Sequence, residues 1–396
     1  MSFIAPAGTP VTIRDLASGL AAPGSGASEA LRAISGLPHA WSISSGRAAM
    51  TIILEAMRQA SGDSKRDEVI VPAYTCYSVP ASIERAGLRP RLCDVVPATL
   101  GTNPEVLRRQ DFSRVLAVVS SNLYGLPNDL AGIESVCKEQ GVLLLDDAAQ
   151  ALGARVDNRA VGSFGEAGLY SFDKGKVIST IQGGAIVCRP GPVAERLESA
   201  IATLPASGLV ERVGNALKLG IYSVFLRPTL YPMIRALPFT GLGHTVYKTR
   251  FPIARLSNFS TAVATRLIGR LDELASARRR NAAALTAALE GEPGIELIRP
   301  LPGSVAAWVR FPLLVSDPDR RARLIAAFER AGIGATASYP RALADVPAVR
   351  SRMAPGDTDY PGARRIAQSI VTLPTHAYCP PDLPERVRKV IRECRN

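Results

Sequence analysis

Apolar positions along this chain fall into short uninterrupted runs separated by amphipathic stretches. Residues 31–57 show helical periodicity, interrupted by a turn at Ser44-Ser45-Gly46. The apolar run 68–71 ends at Pro72 and predicts a buried strand. Residues 83–86 read as helix, Gly87 stops it, and 91–95 read as strand. A strand at 115–119, a helix at 130–140 closed by Gly141, and a strand at 142–145 follow. This alternation predicts an α/β fold with a mostly parallel sheet. Residues 1–28, rich in Ala, Gly, Pro and Ser, read as a loose N-terminal arm. A basic helical stretch at 266–289 bridges to a smaller C-terminal part, with a strand at 308–314, a helix at 319–331 and a closing helix from Leu383. The expected division is therefore an arm at 1–28, a large domain at 29–265 and a small α+β domain at 266–396.

Residues 205–250 break the alternation. The stretch 217–237 is apolar and basic, interrupted by Pro228 and Pro232. Internal packing or a dimer contact is the first reading of this insert. An interfacial segment making weak membrane contact is the second.

Composition narrows the class. With 396 residues and 47% hydrophobic content, the chain buries a large core without disulfide or metal staples. Its six cysteines lack CxxC spacing and its three histidines lie far apart, so reduced thiols in a cytoplasmic protein and no metal site are expected. No secretory signal pattern opens the chain, and no window holds 18 uninterrupted apolar residues. Lys+Arg exceed Asp+Glu by 47 − 35 = +12. The arginines are dispersed and no nucleic-acid-binding motif stands out, so no nucleic-acid partner is expected. A basic mouth that steers an anionic substrate is the alternative use of that charge. Only seven of the 47 cations are lysines, which makes a lysine inside a motif more informative than usual.

Three motifs carry chemistry. In Ser171-Phe172-Asp173-Lys174-Gly175-Lys176, followed by Gly183-Gly184, lysines sit on a loop between apolar segments. A lysine desolvated there loses pKa and forms a Schiff base with an aldehyde. In Asp146-Asp147-Ala148-Ala149-Gln150, carboxylates end an apolar strand, where a helix N-cap or a cationic partner such as a pyridinium nitrogen accounts for them. Ser45-Gly46-Arg47-Ala48-Ala49 is a small turn opening a helix, either an ordinary cap or a cradle of free N–H groups for a phosphate.

Taken in order, these motifs resemble the DegT/DnrJ/StrS family of pyridoxal-phosphate-dependent sugar aminotransferases. Further carriers are Val69 to Cys76, Leu123-Tyr124-Gly125-Leu126-Pro127, Gly162-Ser163-Phe164-Gly165, Arg255-Leu256-Ser257-Asn258-Phe259 and Leu373-Pro374-Thr375-His376. The resemblance covers roughly residues 40–380. It implies the type I, aspartate aminotransferase-like fold and pyridoxal 5'-phosphate as cofactor. It also implies a homodimer with active sites shared between subunits. Lys176 matches the lysine that forms the internal aldimine and moves the proton. Asp147 matches the partner of the pyridine nitrogen, and Gln150 the contact to the phenolic oxygen. Ser171 and the Gly46-Arg47-Ala48 turn match the phosphate cradle. Cys76 stands where many relatives place a stacking aromatic, so either Tyr77 or Tyr74 is expected to take that role, or the ring is expected to be held by contact with the Cys76 thiol. Gln182 replaces a common Glu, Arg47 a small hydroxyl residue, and Ile253 an Asn that reaches the partner subunit.

The implied activity is transfer of an amino group, from glutamate, to a keto sugar on a nucleotide carrier. The alternatives are a pyridoxal phosphate enzyme acting on a lipid-linked or otherwise apolar acceptor, and a regulatory relative that has lost catalysis.

Overall fold

The structure, a computed structural model, describes residues 2–21, 26–235, 247–357 and 359–395. Its centre is a sheet of seven strands: β1 (His39–Ile43), β2 (Glu68–Pro72), β3 (Arg89–Cys93), β4 (Val115–Ser121), β5 (Leu143–Asp147), β6 (Ala167–Ser171) and β7 (Gly184–Cys188). They pair in the order β1-β7-β6-β5-β4-β2-β3. Strands β2 to β6 are mutually parallel, and β7 runs against both of its neighbours. The sheet is thus mostly parallel, and it has the type I pyridoxal phosphate architecture.

Every residue of β2, β4, β6 and β7 is buried, because helices cover both faces. The strand period of two divides each run between two cores. Val69 and Val71 face one core with α3 (Gly46–Ser61) and α4 (Ser78–Arg85). Ile70 faces the other. The helices around the sheet are α1 (Ile13–Ala21), α2 (Ala27–Ser35), α3, α4, α5 (Leu130–Gln140), α6 (Pro192–Ala202), α7 (Leu209–Phe225), α8 (Asn258–Ile268) and α9 (Leu271–Leu289). A second, antiparallel sheet follows, formed by β8 (Ile295–Leu297), β9 (Phe311–Val315) and β10 (Ile370–Leu373). It packs with α10 (Pro318–Arg330), α11 (Pro361–Ser369) and α12 (Leu383–Glu393).

Several local expectations change. The described part of 1–28 is not a loose arm: Ile4, Ala5, Thr9 and Val11 are buried, and α1 packs along α8. Ile4 bridges to Ile333, and Asp15 on α1 pairs with Arg270. Burial of Phe3, Ile4 and Val11 outweighs the Gly- and Pro-rich composition. The stretch read as helix from residue 31 contains β1, whose half-buried His-Ala-Trp-Ser-Ile pairs with β7 instead. The long helix at 266–289 is two helices parted at Gly269-Arg270. Trp308 has φ of 49°, so its strand starts only at Phe311. The insert at 205–250 opens with α7, and residues 236–246 lie outside the described residues.

Candidate active site

The carboxyl ends of β4, β5 and β6 and the start of α3 meet at one cleft of about 610 Å³. Parallel strands place their polar terminal residues here for a structural reason. The interior of each run is sealed by helices, so only the last residue reaches open space. Asp147 and Ser171 are those last residues, whereas Ser121, which ends β4, is buried and bonds to Asp147 instead.

Asp146 and Asp147 are neighbours with opposite orientations, as the strand pleat requires. Asp146 is fully buried and accepts from Gly162 N at 2.6 Å, Phe164 N at 3.3 Å and Asn122 Nδ2 at 2.8 Å. Burial pushes it up to about 7, the three N–H donors oppose that rise, and the charge on Asp147 adds to it. Its hydrogen bonds tie the 162–164 loop to the sheet. Asp147 instead lines the cleft. Its Oδ1 accepts from Ala149 N at 3.0 Å and its Oδ2 from Ser121 Oγ at 3.3 Å. Burial raises its pKa, against the Ala149 N–H, the positive charge of Lys176 and the Ser121 hydroxyl. The local turn accounts for one oxygen, so the ordinary Asx role and a cationic partner coexist at this residue.

Lys176 follows β6 on a loop and is half-buried in the cleft, whereas Lys174 is exposed. The backbone of Lys176 is held from behind: its carbonyl accepts from Thr9 Oγ1 at 2.9 Å and from Arg278 Nη2 at 3.3 Å. The side chain remains free of any hydrogen bond or ion pair within geometric range among the described residues. A fixed backbone with an unspent amine is the arrangement a nucleophilic lysine needs.

Helix α3 starts at the same cleft. Ser45 caps it by accepting from Ala48 N at 3.1 Å, which leaves the N–H groups of Gly46 and Arg47 at the positive end of a 16-residue helix. Close packing brings that end in. A Cβ on Gly184 would lie 2.6 Å from Gly46 N, and one on Gly46 would lie 3.1 Å from Ser171 Cβ. The second of the paired glycines therefore lets β7 approach the helix start, and Gly46 lets the helix approach Ser171. Residues 252–256 run beside this turn, with Ser44 N donating to Ala254 O at 2.9 Å. They deliver Phe251, whose ring lies 5.1 Å from the Arg47 guanidinium carbon.

Most of the residues expected from sequence converge. Gly46, Arg47, Cys76, Asp147, Gln150, Ser171 and Lys176 all line the cleft. Gln150 accepts from Tyr124 N at 3.1 Å and donates to the Tyr339 hydroxyl at 3.3 Å. Ala48 and Tyr77 do not line it. The Ala48 N–H is consumed by the cap. Tyr77 lies against Tyr339, with ring centroids 5.8 Å apart, and donates to the Arg341 carbonyl. Tyr74 is fully buried and bonded to Tyr124 and Tyr339. Cys76 lines the cleft, with Ser78 Oγ donating to its sulfur at 3.0 Å.

Lys218, Lys248, Arg310 and Tyr339 line the cleft too, and local sequence offered no sign of them. Four of the seven lysines in the chain (174, 176, 218 and 248) meet there. Lysine scarcity was the one signal that could have found them. Their charge, with Arg47 and Arg310, makes the mouth strongly attractive to an anion.

The sequence profile of the DegT/DnrJ/EryC1/StrS aminotransferase family matches residues 27–393. A "Pleiotropic regulatory protein" of Geobacillus stearothermophilus is 26% identical over 85% of this chain and 79% of its own length. An "L-glutamine:2-deoxy-scyllo-inosose aminotransferase" of Streptomyces fradiae is 31% identical over 66% of this chain, a match that spans only 54% of that relative. Among solved structures, the aminotransferase PseC of Helicobacter pylori, involved in pseudoaminic acid biosynthesis, superposes with a TM-score of 0.79. It is 17% identical and covers 100% of this chain and 99% of its own.

Proposed function

The chain belongs to the DegT/DnrJ/EryC1/StrS aminotransferase family, a family of pyridoxal-phosphate-dependent enzymes acting on sugars, and from that premise we propose that it moves an amino group from glutamate to a keto sugar on a nucleotide carrier. The observation that carries this reading is the convergence of an unspent Lys176, a buried Asp147 and a capped helix start on one cleft.

Those residues fit the cofactor. Gly46 and Gly184 let the helix start, β7 and Ser171 come together, and the N–H groups at that helix end suit a phosphate. Asp147 would hold the pyridine nitrogen in its protonated form, and Gln150 would meet the phenolic oxygen. Ser171, Gly46 and Arg47 would hold the phosphate. When bound, the cofactor supplies an electron sink that stabilises a carbanion. The chain supplies the rest. Lys176 Nζ would hold the cofactor through its aldehyde carbon and, once released by the incoming amine, would take a proton from, or return one to, the reacting carbon of the substrate in the site. The Ala149 N–H, the Lys176 charge and the Ser121 hydroxyl lower the Asp147 pKa against the larger rise that its burial causes. The cationic mouth draws in the diphosphate of a nucleotide sugar. We also infer a homodimer that completes each site from both subunits, working in the cytoplasm. The regulatory name of the Geobacillus relative favours a non-catalytic reading, but an intact Lys176–Asp147 pair speaks against it.

The test is a visible spectrum of the purified protein before and after glutamate or glutamine, with borohydride trapping and peptide mapping. A yellow protein whose band shifts with one donor, and whose reduced adduct maps to Lys176, is the expected result. A colourless protein after incubation with pyridoxal phosphate, or an adduct on Lys174, would overturn the assignment.

A further inference from the structure

Helix α7 packs on its own chain with one side and carries an apolar stripe on the opposite side. One side faces its own chain: Asn215, Leu219, Tyr222 and Ser223 are in contact with it, and Leu226, just past the helix, packs with Phe3, Ala5 and Tyr231. Thr9 N donates to the Tyr222 hydroxyl at 3.0 Å, which fixes the helix on the N-terminal segment. The other side carries Val210, Val213, Leu217, Ile221 and Val224, which are 87%, 59%, 65%, 42% and 46% exposed. At about 100° per residue these five fall within an arc of roughly 80°, centred opposite the packed side. They form one continuous stripe pointing straight out from the body, unlike the scattered single apolar residues of an ordinary surface.

The same geometry places Lys218 on one edge of the stripe and Arg227, just past the helix, on the other; both are exposed. The helix has one acid, Glu211, and it is held by Gln182 Nε2 at 2.7 Å. An apolar stripe edged by exposed cations suits a surface that is oily within and anionic at its headgroups. Lysine and arginine stems lie along the apolar layer while their charges stay among phosphates. A second copy of the chain would bring the same cations and the same net charge of +12 to the contact. No helix among the described residues is long and apolar enough to cross a membrane, so the contact lies in the plane of the interface.

We propose that α7 docks this protein on an anionic lipid surface through Val210, Val213, Leu217, Ile221 and Val224, with Lys218 and Arg227 among the headgroups. Lys218 also lines the cleft. Docking therefore sets the mouth of the cleft beside the headgroup layer, where an acceptor held on a lipid phosphate would lie.

Flotation of the full-length holoenzyme with vesicles tests this. One set is phosphatidylcholine alone, the other phosphatidylcholine with phosphatidylglycerol. The expected result is co-flotation with the anionic vesicles only. Leu217→Gln with Ile221→Gln should lower the bound fraction on the order of tenfold, with unchanged thermal unfolding and unchanged mass by light scattering. Failure to float with anionic vesicles, or equal flotation of the double variant, would overturn the proposal. A double variant that falls from dimer to monomer would overturn it too, and would give the stripe to a second copy. None of these readouts depends on turnover, so the assignment of the chemistry stands or falls separately.

Discussion

The loop that carries Lys176 has two sides, built on opposite rules. In front, facing the cleft, polar groups keep unspent capacity: the Lys176 amine, the N–H groups at the start of α3, and the second oxygen of Asp147. Behind, the polar groups are mostly consumed, His376 Nδ1 being the exception. Arg278 is 1% exposed and donates to Gly8 O at 2.6 Å, Val309 O at 3.1 Å, Lys176 O at 3.3 Å and Thr375 Oγ1 at 3.3 Å. No carboxylate pairs with it among the described residues, and burial pulls its pKa down to about 10. His376 is fully buried, and its Nε2 donates to Ala5 O at 2.8 Å. The rear is a rigid backing of backbone carbonyls tied by buried side chains. The front stays reactive because the rear holds its backbone still.

Variants on the two sides should separate accordingly. The largest effect is expected from Lys176→Ala, which should lower transamination by about 10⁴-fold while leaving the urea midpoint in place. A variant that turns over normally, or that unfolds, would erase the distinction. Next comes Arg278→Met, which strips the donors from three buried carbonyls. It should cost about 4 kcal/mol of stability, read by urea unfolding, before any effect on chemistry.

The third effect is one of pH. Burial holds His376 neutral and lowers its pKa to about 4, with the Arg278 charge adding to the fall and the Ala5 carbonyl opposing it. The unfolded chain then takes up a proton near pH 6.5 that the folded chain refuses until pH 4. Stability is thus complete above about pH 6.5 and falls toward pH 4, by about 3 kcal/mol. Subtracting the stability–pH profile of His376→Gln from that of the parent should isolate this loss. Identical profiles would remove the histidine from the rear. The smallest effect should come from Thr9→Val, which takes one donor from the Lys176 carbonyl at a cost of about 1 kcal/mol. If it abolishes turnover instead, the arm is part of the front.

Much of this could be read before folding. The strand–helix alternation, the helix 130–140 and the run of strands buried on both faces follow from local periodicity and from Gly stops. The arm could not, because composition at residues 1–28 says loop while Ile4 and Val11 find their partners at Ile333 and in the core behind α8. The surroundings of the two tyrosines could not be read either. Tyr74 and Tyr77 sit beside Cys76 in sequence, but Tyr339, some 260 residues on, captures both.

The sequence alone determined the α/β order of elements, the polar residues that end its strands and the scarcity of lysine that made Lys176 conspicuous. These are short-range properties, set by backbone sterics and by the need to bury apolar runs. Tertiary structure decided which member of each pair does the work. Asp147 faces the cleft and Asp146 the loop because the pleat alternates and only the packed helices define which face is open. Lys176 is half-buried and Lys174 exposed because Thr9 and Arg278 pin the loop from behind. Lys218, Lys248 and Arg310 reach the same mouth from distant segments, since charge convergence depends on how the chain packs and leaves no local trace in its order.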